Sequence, residues 1–338
     1  MKYIKCILLT ILLIPAISHA IFRIYTGTIG QDNAEFYFDD DSAVYLDGKE
    51  HQVKRLSFIR ERERNDKFNF KVYYANSFKK ILDKIVIENF DLGIFYHDAD
   101  AYQYLTGYSL NGDMISLHKT FEYKKYDERS LREAEFNNID YLQQDNTKDF
   151  YFKVIVSKQK NEEAKIVGIK IYSRHDGRLI QTITGIKGCE FNSYASIMNH
   201  EKSDYNFDGD NNDFFLVKDR YHGPNSTAEY YVYDKTQQQF VKLNLEGHAF
   251  RFDYEEKSAT SYKNCPGKKN NDYIDLRDIF QYTGNNHYKR VKTECLYREG
   301  GHVNKDNNRY EYRKQRACKP KEIVGCRNYI DTSDYDEY

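Results

Sequence analysis

The stretch Asp204 to Leu216, DYNFDGDNNDFFL, constrains this 338-residue chain more than any other. Oxygen-bearing side chains at Asp204, Asn206 and Asp208 alternate with Tyr205 and Phe207, and Gly209 follows where such a loop must turn sharply. Calcium takes about six to eight oxygen ligands. Positions 1, 3 and 5 of a calcium loop deliver them, and Gly at position 6 permits the turn. Carboxylates crowded this closely repel one another unless a cation lies between them. Asp210, Asn212 and Asp213 are further oxygen donors that could close the shell. An EF-hand needs Glu at position 12, but Phe215 stands there, inside an apolar run with strand character. The stretch reads as a calcium loop feeding a strand, with Asp204, Asn206, Asp208, Asp210 and Asp213 as candidate ligands. A solvated polar turn is the alternative, because Asp, Asn and Gly also dominate turns.

Residues 1 to 20 carry Lys2 and Lys5, then an apolar run from Ile7 to Ile17 interrupted by Thr10 and Pro15, then Ser18-His19-Ala20. That is the order of a secretory signal with a small-x-small cleavage site. Its apolar core is short for a membrane span. No Cys follows Ala20, so no lipid anchor is indicated. The expectation is export to the periplasm, a mature chain beginning near Ile21, and no membrane insertion after cleavage. A formal net charge of −1 argues against nucleic acid as a partner.

The chain holds 32 Tyr and 21 Phe but only four Pro, a composition that suits pleated, half-buried surfaces. Ala34, Phe36 and Phe38 alternate with polar residues, as do Phe68, Phe70, Val72 and Tyr74, and later Phe152, Val154 and Val156. Asp47-Gly48, Asn111-Gly112 and Asp176-Gly177 are hairpin signals. A helix is expected only around Leu131 and Ala134. The predicted class is mainly β, in two β-rich domains at 21 to 145 and 146 to 300. The second is a β-sandwich or open barrel carrying the calcium loop, and 301 to 338 form a C-terminal extension.

Past the signal, the cysteines are Cys189, Cys265, Cys295, Cys318 and Cys326, with none of the CxxC spacing of a zinc site. Export permits disulfides. Cys265 lies in a loop and Cys295 in an alternating segment, so a Cys265 to Cys295 bond would tie loop to strand, and Cys318 with Cys326 would close a small loop. Cys189 is left as a buried thiol.

Signals for catalysis are scarce: there is no GxSxG, no HExxH and no Gly-rich loop before a helix. Asp39, Asp40 and Asp41 read as a turn, and His97, Asp98 and Asp100 as a polar loop between strands. The triplet Asn225-Ser226-Thr227 reads as loop. The chain leans toward binding, not enzymatic chemistry.

The segment from DYNFDGDNNDFFL through YYVYDKTQQQFVKLNLEG to FDYEEKSATSY and the Cys265 and Cys295 strands resembles a family of bacterial periplasmic proteins. Its members pair an FG-GAP-like calcium loop with a lysozyme-inhibitor-like β-sandwich. The early GTIGQDNAEFYFD is similar to their N-terminal strand pattern. The likeness covers about half the chain, concentrated from 165 to 298. It carries over Asp204, Asn206 and Asp208 as ligands; Asp210, at position 7 of the loop, could serve through its backbone carbonyl as that position does in EF-hands. Family members place an Asp three residues after the Gly; here Asn212 holds that place and Asp213 follows it, so the choice between them stays open.

The resemblance implies a calcium-binding immunity or inhibitor protein that neutralises a secretion-system effector, a lysozyme-like peptidoglycan hydrolase. Inhibitors of several kinds use a protruding Ser-Gly-x-x-Tyr loop, and Ser258-Ala259-Thr260-Ser261-Tyr262 is similar to it with Ala for Gly. An ordinary strand end is the competing reading. The other candidate surface is Arg220 to Thr227, with Tyr221 and His222, since exposed Tyr and Arg anchor interfaces. A calcium-dependent adhesion or carbohydrate-binding module is the alternative function.

Overall fold

A computed structural model describes residues 21–39, 42–59, 67–74, 83–88, 90, 94–95, 101–124, 128–199, 203–218, 227–245, 250–269, 271–304 and 309–329. The signal-like residues 1–20 lie outside them, as do Asp40, Asp41, His97, Asp98, Asp100, Arg220, Tyr221, His222, Asn225 and Ser226.

The chain is mainly β. Strands β1 (Ile21–Ile29), β2 (Asp32–Asp39), β3 (Ser42–Asp47), β4 (Gln52–Ile59), β5 (Lys67–Tyr74), β6 (Asp83–Glu88), β7 (Tyr104–Ser109) and β8 (Met114–Lys124) form an antiparallel meander. β8 returns to pair with β1 and closes a barrel. Period-two alternation turns Tyr25, Phe36, Phe38 and Tyr45 inward with Leu56, Ile85 and Leu117. Side chains of this size fill the width that eight strands enclose. Phe36 stacks on Tyr45 at 4.8 Å, and Phe38 meets Phe95 edge-on at 5.2 Å. Arg23 breaks the apolar pattern, being 0% exposed. Its Nε lies 2.9 Å from Glu122, its guanidinium donates to the Phe95 carbonyl, and its Cζ is 4.3 Å from the Phe95 ring centre. A buried charge persists only when paired and hydrogen-bonded in this way. At Gly27 the backbones of β1 and β8 close up so far that a Cβ would stand 2.0 Å from the Ser116 carbonyl oxygen.

The expected helix is a single short one, α1 (Glu128–Glu133). Next come β9 (Phe136–Leu142), β10 (Phe150–Lys158), β11 (Lys165–Ser173) and β12 (Leu179–Thr184), in a sheet of order β12-β11-β10-β9. Residues 136–142 thus share a sheet with strands that follow residue 146. This sheet also meets the barrel wall: Phe22, Tyr37 and Val44, from the outer faces of β1 to β3, join Tyr141, Phe152 and Phe191 in one apolar cluster. Lys153 on β10 reaches Glu35 on β2 at 2.7 Å.

A second four-stranded sheet contains β13 (Ile197–Met198), β14 (Phe214–Val217), β15 (Ala228–Asp234) and β16 (Gln239–Lys242). The apolar runs FFLV and YYVY have no polar side to spare because this sheet is covered on both faces. Phe214, Leu216 and Tyr231 pack toward β10, with Phe152 and Phe214 ring centres 4.6 Å apart. Phe215, Tyr230 and Val232 face the opposite way, into a cluster with Phe250, Ala259 and Tyr288.

That third cluster belongs to a five-stranded sheet of order β17-β18-β19-β20-β23. Its members are β17 (Phe250–Asp253), β18 (Ser258–Pro266), β19 (Tyr273–Gly284), β20 (His287–Glu299) and β23 (Lys314–Ala317). The short pair β21 (His302–Asn304) and β22 (Arg309–Glu311) stands beside it, and α2 (Pro320–Arg327) follows.

The four cysteines expected in disulfides are all bonded, but with different partners. Cys265 joins Cys326 and Cys295 joins Cys318, with Cα separations of 5.5 and 5.4 Å. The expected Cys265 to Cys295 and Cys318 to Cys326 bonds fail for a topological reason. β19 lies between β18 and β20, so Cys265 and Cys295 are two strand spacings apart, about 10 Å, beyond the reach of a disulfide. β23 instead pairs with β20, Ala317 opposite Leu296, which sets Cys318 beside Cys295. The helix then brings Cys326 back over Cys265. Among the described residues of the expected extension, Lys314–Ala317 form a strand of this sheet and the helix Pro320–Arg327 is tied to it by the Cys265–Cys326 bond. Cys189 is buried and in neither disulfide, its Sγ 3.2 Å from the Val217 carbonyl oxygen.

Candidate metal centre

The loop from Asp204 to Asp213 follows β13 in sequence and runs directly into β14, as the apolar run at Phe214 requires. Asp204 organises its first half. Asp204 Oδ1 accepts the Asp208 N–H at 3.0 Å and its Oδ2 the Gly209 N–H at 2.9 Å. That curl needs left-handed backbone at Phe207, φ 59°, and at Gly209, φ 81°. Asp208 and Asp210 continue the pattern, accepting the N–H groups of Asp210 at 2.8 Å and Asn212 at 3.1 Å. Lys235, from the β15–β16 turn, lies 3.6 Å from Asp208 and 3.4 Å from Asp210.

Asn206 differs from its neighbours. It is 7% exposed, and its Nδ2 donates to Asn286 Oδ1 at 3.1 Å. Its Oδ1 is buried and accepts nothing. A buried carbonyl oxygen left unpaired costs about 1 to 3 kcal/mol, and a cation at the loop would remove that cost. Burial also raises the Asp204 carboxyl above its ordinary value, with the neighbouring Asp208 charge adding to the effect. Among the described residues, no three His, Cys, Asp or Glu side chains are gathered closely enough to hold a metal by themselves. Any cation here depends on the Asn206 amide oxygen and on lone pairs that the aspartates still have free.

Asn212 and Asp213 separate clearly. Asn212 offers the loop its donor end only: its Nδ2 donates to Asp210 Oδ1 and to Asp149, both at 2.8 Å, while its Oδ1 accepts the Asp149 N–H at 3.1 Å. Asp213 is 1% exposed and points into the protein. Its Oδ2 accepts the Tyr205 N–H at 2.7 Å and its Oδ1 the Tyr233 N–H at 2.9 Å, clamping the loop onto β15. Burial pushes this carboxyl up to about 8 against the pull of those two N–H donors.

Aromatics hold the loop in place. Tyr205 packs on Phe252 at 4.6 Å and edge-on to Tyr230 at 5.1 Å, and its carbonyl accepts the Tyr288 hydroxyl at 2.5 Å. Phe207 sits among Tyr254, Tyr282 and Tyr288. Asn286, Asp234, Lys235 and Asp149 all touch this loop or its contacts, yet each comes from a distant part of the chain. Asn285 and Asn286, in the turn between β19 and β20, both have positive φ, 52° and 58°.

Ser258 and Tyr262 do not form a protruding loop. They lie within β18: Ser258 to Ser261 pair with β17 on one side and Ser258 to Tyr262 with β19 on the other, and Phe252 and Phe280 bracket Ala259 in this extended strand. Tyr262 carries the guanidiniums of Arg251 and Arg277 over its ring at 5.0 and 4.9 Å. Beside it a groove of about 530 Å³ is lined by Tyr262, Asn264, Asp275, Arg277, Glu294 and Arg298. A smaller polar cup of about 250 Å³ opens at the barrel end, where Lys54 bridges Asp47 at 2.6 Å and Glu50 at 3.1 Å.

No protein-family model matches the chain, and no curated protein matches it. Among the described residues no helix is long and apolar enough to cross a membrane.

Proposed function

We propose that the chain is an exported, calcium-binding protein that acts by binding and neutralising a protein partner, an effector of the peptidoglycan-hydrolase class in the periplasm. The observation that carries the calcium half is the buried Asn206 Oδ1, which accepts no hydrogen bond and belongs to the residue midway in sequence between Asp204 and Asp208. Asp204, Asn206 and Asp208 would hold the ion, Asp210 would add its backbone carbonyl, and Asp213 would fix the loop against β15. Bound calcium would offset the carboxylate charges and lock the loop between the second and third sheets. Two disulfides support an oxidising compartment, in keeping with the signal-like N-terminus. The partner half rests on the family resemblance and on the groove beside Tyr262, whose arginines and tyrosine are residue types that anchor interfaces. At Tyr262 a carbohydrate-binding module gains less support, because sugar stacking needs open aromatic faces and two guanidiniums already lie over this ring.

Two measurements test this. Thermal melting of metal-free protein should rise on adding calcium and respond less to magnesium; hundredfold excess over the dissociation constant corresponds to about 2.7 kcal/mol. Immobilised chain should capture a purified lysozyme-like hydrolase and abolish its activity on peptidoglycan. A melting curve indifferent to calcium ends the metal reading, and capture without loss of hydrolase activity ends the inhibitor reading.

A further inference from the structure

The candidate calcium loop is bonded to a turn 80 residues away in sequence. Asn206 Nδ2 donates to Asn286 Oδ1, and the sequence separation of that pair is 80. Asn286 Nδ2 in turn donates to Asp234 Oδ2 at 3.2 Å. Asp234 is itself fixed, its Oδ1 capping the β15–β16 turn through the N–H groups of Thr236 at 2.9 Å and Gln237 at 3.0 Å.

We propose that Asp234 and Asn286 form a relay that sets the orientation of the Asn206 carboxamide, and so act as positioning residues for calcium. An amide side chain has one donor end and one acceptor end. Asp234 can only accept, so the near end of Asn286 must be its NH₂ and the far end its carbonyl. That carbonyl then demands the NH₂ of Asn206, which leaves Asn206 Oδ1 as the end that is buried without a donor. The polarity of the chain runs from a carboxylate to a free amide oxygen, the atom type calcium prefers. Without the relay, Asn206 could turn its NH₂ toward the cation, which no metal tolerates.

The relay also joins three parts of the fold. Asn206 is in the loop, Asp234 ends β15, and Asn286 sits in the β19–β20 turn. Its backbone N–H is held separately, by the Tyr282 hydroxyl at 3.1 Å, so the turn itself does not need the Asn286 side chain. Calcium affinity therefore reports whether the tip of the third sheet is docked against the loop.

This inference rests on the calcium reading, and calorimetric titration of the full chain with calcium separates the two. The variant is Asn286→Gly, because Gly keeps the positive φ of 58° without strain and deletes only the side chain. Outer-sphere partners of this kind change metal affinity by about tenfold to a hundredfold. Asn286→Gly should weaken calcium binding by about tenfold or more while the metal-free melting temperature stays within a few degrees of the parent. The exchange pair Asp234→Asn with Asn286→Asp lets donor and acceptor trade places and should return affinity to within about threefold. Asn286→Gly binding calcium as tightly as the parent overturns the relay, as does an exchange pair that binds no better than Asn286→Gly. Lower metal-free stability with unchanged affinity also overturns it, leaving Asn286 a turn residue. A parent chain that binds no calcium overturns the relay and the calcium reading together.

Discussion

The carboxamide of Gln181 and the main chain of Phe240 bond to each other twice, Gln181 Nε2 donating to the Phe240 carbonyl at 3.1 Å and the Phe240 N–H donating to Gln181 Oε1 at 2.7 Å. One side chain thereby imitates a strand and links β12 to β16, the edges of two separate sheets. Gln181→Ala should destabilise the protein by about 1 to 3 kcal/mol, since the buried Phe240 amide loses its acceptor. Gln181→Glu should do no better, because a carboxylate would face the Phe240 carbonyl. Urea unfolding midpoints equal to the parent for both variants would show that solvent replaces the bond without cost.

Asp213 and Asp208 should behave oppositely toward calcium. Asp213→Ala leaves the Tyr205 and Tyr233 amides unpaired and should cost about 2 to 5 kcal/mol with or without the ion. Asp208→Ala should leave metal-free melting within a few degrees and remove the gain on adding calcium. If Asp213→Ala mattered only when calcium is present, Asp213 would be a ligand before it is a clamp.

Peptide mapping without reduction should recover Cys265 linked to Cys326 and Cys295 linked to Cys318. In the chain-entropy account the outer bond, spanning 61 residues, contributes about 4 kcal/mol and the inner, spanning 23, about 3 kcal/mol. The Cys265→Ser/Cys326→Ser variant should therefore unfold at lower denaturant than Cys295→Ser/Cys318→Ser. The reverse order would mean that native contacts, more than loop closure, decide the difference.

Acid should weaken the anchorage of α2. Hydrogen bonding from Arg316, at 2.8 and 2.9 Å, holds the Glu322 carboxyl down to about 2, against a smaller opposing effect of burial. The folded value lies below the ordinary one, so this pair stabilises fully above about pH 4.5 and is lost as pH falls through about 2. Glu322→Gln should be less stable than the parent near neutrality and should lose less stability across that acid range. Parallel stability profiles for the two proteins would remove Glu322 as a source of acid sensitivity.

Much of the architecture could be read from alternation. Tyr104 to Leu110 and Met114 to Phe121 flank Asn111-Gly112 and form the β7–β8 hairpin, with Gly112 at φ 86°. Phe214 to Val217 begins where the loop ends. What alternation cannot convey is which strands become neighbours. The cysteine pairing depends on β19 lying between β18 and β20 and on β23 returning to β20, both properties of the order of strands. Ser258 to Tyr262 has the composition of a loop but is held straight by partners on each side. Arg23 looks like an outward polar residue in FRIYT, and only barrel closure shows that its side of β1 is the inside. In the loop, Asp204, Asn206 and Asp208 were visible as a pattern, whereas Asn286 and Asp234 reach Asn206 only through the fold.

The two sulfur bridges lie one inside the other, so the polypeptide from Cys265 to Cys326 is a covalent ring containing a smaller ring. A single peptide cut between Cys295 and Cys318 leaves the two pieces linked twice, through both bridges. A cut between Cys265 and Cys295, or between Cys318 and Cys326, still leaves them linked once through the outer pair. One protease nick in this part of the chain therefore separates nothing until a reductant is present, and loss of the C-terminal helix requires two chemical events.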